Sequence, residues 1–186
     1  MRNKLLTLTA TLALTANIAA AAAGQTDRKD FQLFKDIANS VERYTRFTIF
    51  DDISANVKDG VVTLSGKVTM PYKRSDVERR IAKIDGVREV RNQITVLPVS
   101  QFDDELRYVI ARSIYGNSNF WNYAIMPNPP IHIVVERGRV TLTGVVSSEV
   151  DRMLARSLAS QSSAFSVTSA LKTDAEMRET LDKQSE

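Results

Sequence analysis

The chain has 186 residues, of which 43% are hydrophobic and 25% are charged, the proportions of an ordinary globular protein. It contains no cysteine, which excludes disulfides and the attachment of a lipid to an N-terminal cysteine. Its 25 basic residues barely exceed its 22 acidic ones, and without residues 1–23, which hold two basic residues and no acidic one, the ratio is 23 to 22. This balance argues against nucleic acid as a partner.

The first residues have the three parts of a secretory signal peptide, for which we predict the bounds 1–23. Arg2 and Lys4 give a basic start, an apolar run begins at Leu5, and the run ends in small residues at Ala23 and Gly24. We expect cleavage after Ala23 and a periplasmic location for the remaining chain. A permanent membrane anchor is the alternative, but threonines dilute the short hydrophobic centre, which favours cleavage.

One stretch of the sequence occurs twice, and this repeat predicts the architecture. Residues 57–68, VKDGVVTLSGKV, return as residues 135–146, VERGRVTLTGVV, shifted by 78 positions. A repeat at this distance, each time beside two helical patterns, indicates two copies of one small domain. In both copies apolar and polar residues alternate on either side of a dipeptide that ends in glycine, which is the pattern of a β-hairpin.

Copy one, which we place at residues 30–98, shows the element order α-β-β-α-β. An amphipathic helix begins near Asp30, a second helix starts at Pro71 and stops at Gly86, and a third strand ends at Pro98. Because a helix joins the second strand to the third, these two strands should be parallel. The apolar positions that define the elements are Phe34, Ile37, Val41, Tyr44, Ile53, Ala55, Val57, Val62, Leu64, Val68, Val77, Ile81, Ile84, Val90, Ile94 and Val96.

Copy two, which we place at residues 102–172, repeats this order with two changes in length. Its first helix lies 73 positions after that of copy one, whereas its strands lie 78 positions after, so the loop 116–130 contains five extra residues. We align its second helix and third strand at an offset of 77, which places one lost residue in the loop after the second strand. Ser100 is the expected N-cap of the first helix. The residues that carry this alignment are Leu106, Ile110, Ile114, Ile131, Ile133, Val135, Val140, Leu142, Val146, Leu154, Leu158, Val167 and Leu171.

These patterns predict an α+β fold of two tandem α-β-β-α-β modules. Each module should be a three-stranded mixed sheet with two helices on one face. A domain of this size is marginally stable alone, and the linker at residues 97–102 is short, so we expect the copies to touch. Residues 173–186 form a polar C-terminal tail, either a frayed helix or a disordered segment.

The longer loop of copy two contains the candidate binding residues. Phe120, Trp121 and Tyr123 lie in this loop, and Tyr115 precedes it. Aromatic rings suit the headgroup layer of a membrane, so one interpretation is a surface that binds lipid or a partner. The other interpretation is that the loop folds back and Trp121 covers the end of the sheet or the other copy, which the usual burial of large aromatic residues favours.

No set of residues predicts catalysis, a cofactor or a metal site. His132 is the only histidine, and its place between two isoleucines predicts a strand-surface residue that points away from the apolar face. The acidic runs 51–52 and 103–105 suit turns and helix starts. The basic residues of segment 73–91 alternate with acidic ones, which predicts a solvated helix face with local ion pairs. The glycines that we assign to structural turns are Gly60, Gly66, Gly86, Gly138 and Gly144.

The core Val-x-Asp-Gly-x-Val-x-Leu-x-Gly-x-Val at 57–68, followed by a helix and Gly-Val-x-x-Val-x-Asn at 86–92, resembles the BON domain of bacterial osmotically induced and nodulation proteins. Copy two departs from this pattern at Ser163–Ala164, where the family has Gly-Val, and at Ser169. The resemblance implies a non-enzymatic envelope protein, without cofactor, that is linked to osmotic stress and phospholipid surfaces. It further implies that the first helix and neighbouring loop of copy two, about Phe102 to Tyr123, face anionic lipid.

We therefore expect an exported two-copy BON protein that binds anionic phospholipid or another envelope surface peripherally. The alternative is a protein-interaction or chaperone-like (holdase) module for exported client proteins, in which an open sheet edge pairs with a client strand. Neither hypothesis involves nucleic acid or a small-molecule substrate.

Overall fold

The computed structural model describes residues 29–185, with side chains as far as residue 180, and the expected signal peptide lies outside this range. Copy one consists of a helix over residues 29–42 (α1), β1 (Asp52–Lys58), β2 (Val61–Val68), α2 (Pro71–Ile81), β3 (Glu89–Asn92) and β4 (Thr95–Val96). Copy two consists of α3 (Gln101–Tyr115), a 3₁₀ turn (Ser118–Phe120), α4 (Trp121–Ala124), β5 (Ile131–Glu136), β6 (Arg139–Val146), α5 (Glu149–Ser160), β7 (Ser166–Ser169) and β8 (Lys172–Thr173). The C-terminal segment forms α6 (Asp174–Ser185), so the helical alternative for the tail is the one observed.

Each sheet is built around its second strand. In copy one β2 is antiparallel to β1 and parallel to β3 and β4, and in copy two β6 has the same relation to β5, β7 and β8. The third strand of each sheet is therefore interrupted; in copy one the interruption contains Ile94, which is buried, and Gln93, whose amide bonds the Leu64 carbonyl at 2.8 Å. Both helices of each copy contribute to one hydrophobic core against the apolar sheet face. The predicted fold class of two tandem α+β modules is confirmed.

The hairpin turns have the geometry that their sequences predict, and each is held by the first helix of its own copy. Positive φ at both central residues defines a type I′ turn. Asp30 accepts hydrogen bonds from the two amides of the first turn at 2.5 and 3.0 Å, and Asp103 accepts the corresponding bonds of the second at 2.8 and 2.7 Å. The turn residues and their φ values are Asp59 (51°), Gly60 (73°), Arg137 (53°) and Gly138 (72°).

The predicted alignment of the second helix of copy two is wrong by one residue. The fully buried residues of α5 are Ala155 and Ala159, each 78 positions after a buried residue of α2, whereas Leu154 and Leu158 are only half-buried. The lost residue lies between α5 and β7, since only the third strand keeps the offset of 77. The pattern misled because two leucines give a stronger hydrophobic signal than the alanines beside them.

The two copies touch, as expected, through the loop that joins α1 to β1. Ile49 and Phe50 of this loop pack against the hydrophobic core of copy two. The Ile49 carbonyl accepts a hydrogen bond of 2.7 Å from the amide of Ile133 on the edge strand β5. The ring of Phe50 meets that of Tyr108 edge-on, with 5.3 Å between centroids. Copy one therefore contributes directly to the core of copy two.

Polar residues on the outer sheet faces complete this interface. The Thr143 hydroxyl donates to the carboxylate of Asp52 at 3.1 Å, and Lys67 forms an ion pair with Glu136. Because these faces meet, each is partly covered at the contact, although each sheet alone would present this face to water.

Candidate functional site

The structure separates the aromatic residues of loop 116–130 into buried and exposed rings. The side chain of Asn117 accepts a hydrogen bond from the Asn119 amide at 3.0 Å and starts the 3₁₀ turn, after which α4 follows directly. Phe120 and Tyr123 point into the core of copy two, with 5.8 Å between their ring centroids, whereas 66% of Trp121 is exposed. The interpretation in which Trp121 covers the sheet is therefore wrong, and Phe120 takes the buried position instead.

Tyr123 connects the loop to the start of α5. Its hydroxyl accepts a hydrogen bond from the Ser147 amide at 2.7 Å and lies 3.0 Å from the Asp151 carboxylate, to which it donates. A ring that is 8% exposed and bonded in this way stabilises the fold, and little of it is open to a ligand.

At the place in copy one that corresponds to the Tyr123 hydrogen bonds, a buried ion pair connects the loop to the second helix. Asp51 accepts hydrogen bonds from the amides of Thr48 and Thr69 at 2.9 and 2.8 Å and from the ammonium of Lys73 at 2.5 Å. Thr69 and Lys73 lie 78 positions before Ser147 and Asp151, so the two arrangements occupy corresponding places. Burial alone would raise the pKa of Asp51, but the bonds from Lys73, Thr69 and Thr48 hold it below its ordinary value.

Tyr115 is likewise engaged within the fold. Its hydroxyl donates to the Ile131 carbonyl at 2.6 Å and accepts from the Ile131 amide at 3.0 Å. Burial raises the pKa of this phenol well above its usual range, and the hydrogen bond with the Ile131 backbone opposes only part of this shift. Tyr115 thus covers the outer edge of β5.

Three neighbouring apolar side chains remain at the surface of the loop, and we call them the 121–126 surface. They are Trp121, Ile125 and Met126, with 66%, 64% and 43% of each residue exposed. Sequence reasoning identified only the tryptophan; the signal for the other two was their position in the longer loop. Beyond them, the Asn128 amide donates to the Glu42 carbonyl at 2.9 Å, which ties the end of the loop to copy one.

The first helix of copy two has further exposed residues beside this loop. Val109 and Arg112 are exposed on α3, one turn apart. At the start of the helix Phe102 stacks on Phe165 with 6.0 Å between ring centroids, and both rings are exposed. The helix therefore presents apolar groups and one cation outward, in addition to its acidic first turn.

The exposed basic residues of segment 73–91 make local contacts, as predicted, but the prediction is wrong for Lys73, which is buried in its ion pair with Asp51. Arg79 pairs with Asp76 and Arg91 with Glu89, and Arg88 donates to the Asp59 carbonyl, a backbone group of the first hairpin turn. These are contacts between close neighbours on a solvated surface rather than a converging anion site.

The prediction for His132 is wrong in one respect. The side chain does point away from the apolar face, but copy one covers it, and its ring centroid lies 5.1 Å from that of Phe47. Burial lowers the pKa of His132, with smaller opposing effects from Asp51, Asp52 and Thr48. Its buried Nδ1 has no hydrogen-bond partner among residues 29–180.

The described part of the chain shows no cluster of metal-ligating side chains. Within it no three histidine, cysteine or acidic side chains are placed to hold a metal ion. The helices of residues 29–185 are also too short or too polar to cross a membrane.

Comparison with known proteins places the chain in a family. A family model described as the BON domain matches residues 29–98 and 121–174. None of the curated proteins matches the chain.

Two solved structures of CdsD, a structural protein of the type III secretion system of Chlamydia trachomatis, are similar to it. The first has 12% identity and a TM-score of 0.30, with 79% of this chain and 97% of that chain covered. The second, the C-terminal domain, has 11% identity and a TM-score of 0.26, with 73% and 96% covered. Because the family model matches well over half of its length, the chain belongs to the BON domain family.

Proposed function

We propose that this protein binds anionic phospholipid at the surface of the cell envelope, as a peripheral protein in envelope maintenance or osmotic stress. BON domain proteins are associated with the envelope and are generally non-catalytic, which supports the wider role. One observation carries the choice of ligand: Trp121 is exposed although the aromatic residues around it are buried. A solvent-exposed tryptophan on a short loop suits the membrane interface, where its ring can leave water.

The size of the 121–126 surface fits weak, reversible binding. Moving each of its three side chains out of water contributes about 1.5–3 kcal/mol. The loss of freedom on binding offsets much of this gain. Arg112, on the last turn of α3, adds about 1 kcal/mol if it reaches an anionic headgroup. Affinity should therefore depend on both the tryptophan and the lipid charge.

The fluorescence of Trp121 tests this proposal directly, since it is the only tryptophan in the chain. We expect its emission to shift to the blue with phosphatidylglycerol vesicles and to remain unchanged with neutral phosphatidylcholine vesicles. An unchanged spectrum with both would contradict the proposal, because the ring would still be in water.

Vesicle sedimentation with matched variants tests the location of the surface. Trp121→Ala should lower the vesicle-binding constant about tenfold, which corresponds to the loss of about 1.4 kcal/mol. Met153→Ala serves as the control, because Met153 is also exposed, at 57%, but lies on α5. Equal losses in both variants would mean that binding does not depend on the 121–126 surface.

A further inference from the structure

The outer edge of the sheet in copy two is closed by hydrogen bonds. The residues of β5 whose backbone groups point away from β6 are Ile131, Ile133 and Val135. Tyr115 bonds both the amide and the carbonyl of Ile131, and the Ile133 amide bonds the Ile49 carbonyl. The guanidinium of Arg107 donates to the Val135 carbonyl at 2.6 Å. Such coverage removes the template that an edge strand otherwise offers to another chain.

The corresponding edge of copy one is open. The counterparts of the three β5 residues, 78 positions earlier, are Ile53, Ala55 and Val57 of β1, and the shared register turns their backbone groups outward too. At the helix positions of Arg107 and Tyr115, copy one has Phe34 and Glu42 (offset 73), and neither a phenyl ring nor a carboxylate donates a hydrogen bond. No residue between 29 and 180 bonds the outward groups of these three β1 residues.

A groove runs along this open edge. One part has a volume of about 400 Å³, and the part that continues along β1 to Lys58 has about 610 Å³. The apolar side chains that line the two parts include Phe31, Phe34, Ala38, Val41, Phe47 and Met177, and Val145 and Ala170 of copy two also line the first part. Two exposed cations, Lys58 and Lys172, also line it, and within the described range neither belongs to an ion pair.

We propose that β1 binds an extended segment of another polypeptide, which adds as a further strand to the sheet of copy one. Only a strand supplies donors and acceptors at every second residue, as the outward groups of Ile53, Ala55 and Val57 require. Alternate apolar side chains of the segment would enter the groove, and acidic residues would meet Lys58 and Lys172. The molecule already uses this kind of contact, since the Ile49 segment of copy one bonds the equivalent edge of copy two. The proposal goes beyond lipid binding, which uses a different face.

The sharpest test transfers the closed edge of copy two to copy one. Phe34→Arg combined with Glu42→Tyr places the two side chains that cover β5 beside β1, at positions that are half-buried and exposed and so should not disturb the fold. Gln32→Arg combined with Asn39→Tyr is the matched control, because it introduces the same residue types at exposed positions of α1 outside the groove. Circular dichroism would verify that both variants fold.

The probe is a fluorescent peptide of alternating valine and threonine with glutamates at both ends. We expect it to bind the wild-type protein and the control variant, to slow amide exchange at Ile53, Ala55 and Val57, and to bind the Phe34→Arg/Glu42→Tyr variant about tenfold more weakly or less. Absence of peptide binding, equal binding by all three proteins, or protection of other amides would overturn the proposal. A wild-type dimer that the double substitution abolishes would also overturn it, in favour of a second copy of this chain as the occupant.

Discussion

At the scale of single residues, the carboxylate of Asp51 joins several parts of copy one. It is fully buried and gathers the loop after α1, the end of β2 and Lys73 into one network. A buried carboxylate is stable only with such partners, because its desolvation is otherwise too costly.

We predict that Asp51→Ala lowers the free energy of unfolding by about 3–5 kcal/mol, since it leaves the Lys73 charge buried without a partner. The folded-state pKa of Asp51 lies below its usual 3.8, so its contribution is complete above that pH and is lost as the pH falls towards the folded-state value. Urea unfolding should therefore show a large difference from wild type at pH 7 that narrows under acid conditions. Asp85→Ala, at an exposed position, should behave like wild type.

The aromatic residues of loop 116–130 show what the sequence could not predict about the candidate site, namely which rings are buried and which are exposed. The aromatic residues of the longer loop were identified from their type and their place in the loop. Neither shows whether a side chain faces the core or the solvent. Tyr123 faces inward, where its hydroxyl accepts a hydrogen bond from the Ser147 amide and donates one to Asp151, both more than twenty positions away. Trp121 faces outward because it stands between two rings that occupy the core. Such outcomes depend on tertiary neighbours, which no local pattern specifies.

At the scale of elements, an aspartate of the first helix holds the hairpin turn in both copies, Asp30 in copy one and Asp103 in copy two. We predict that Asp103→Ala destabilises copy two by about 1–3 kcal/mol, because the amides of Arg137 and Gly138 lose their acceptor. Amide exchange at these two residues should accelerate. Glu105→Ala is the control, since Glu105 is exposed and its side chain bonds Gln101 on the same helix. Unchanged exchange in Asp103→Ala would show that the turn geometry alone protects the amides.

Strands in which apolar and polar residues alternate were predictable from the sequence. The alignment of a helix whose buried residues are small was not. The hairpins followed from period-two patterns and left-handed turn residues, which fix the register on both sides. The second helix of copy two was misaligned because Ala155 and Ala159 bury little area each, although they lie in the core. The interruption of the third strands at Gln93 and Ile94 has no local signal, because it depends on how the strand passes over β2.

At the scale of the whole molecule, the duplication is asymmetric. The loop after the first helix of copy one enters the core of copy two, whereas the longer loop of copy two presents Trp121 to solvent. The edge of copy two is closed and that of copy one is open. Contact between the copies was predictable from their small size, but the faces involved were not, because the outer sheet faces read as ordinary wet surfaces.

The interface between the copies should weaken in mild acid because of His132. Its folded-state pKa lies below the ordinary value of 6.5, since burial against Phe47 outweighs the nearby carboxylates of Asp51 and Asp52. Above pH 6.5 both the docked and the separated protein hold a neutral imidazole, so docking is unaffected. Below pH 6.5 the imidazole of the separated form binds a proton, whereas that of the docked form stays neutral. The free energy that favours docking therefore falls by up to about 1.4 kcal/mol per pH unit until the folded-state pKa is reached.

Amide exchange at Ile133, whose N–H bonds the Ile49 carbonyl across the interface, reports this loss. After correction for the intrinsic effect of pH, we expect its protection to fall between pH 7 and pH 5 in the wild type and to stay constant in His132→Gln. The amide of Gln93, which bonds Leu64 within copy one, is the internal control and should keep its protection in both proteins. A fall at Ile133 that persists in His132→Gln would assign the pH dependence to carboxylates instead, because the chain contains no second histidine.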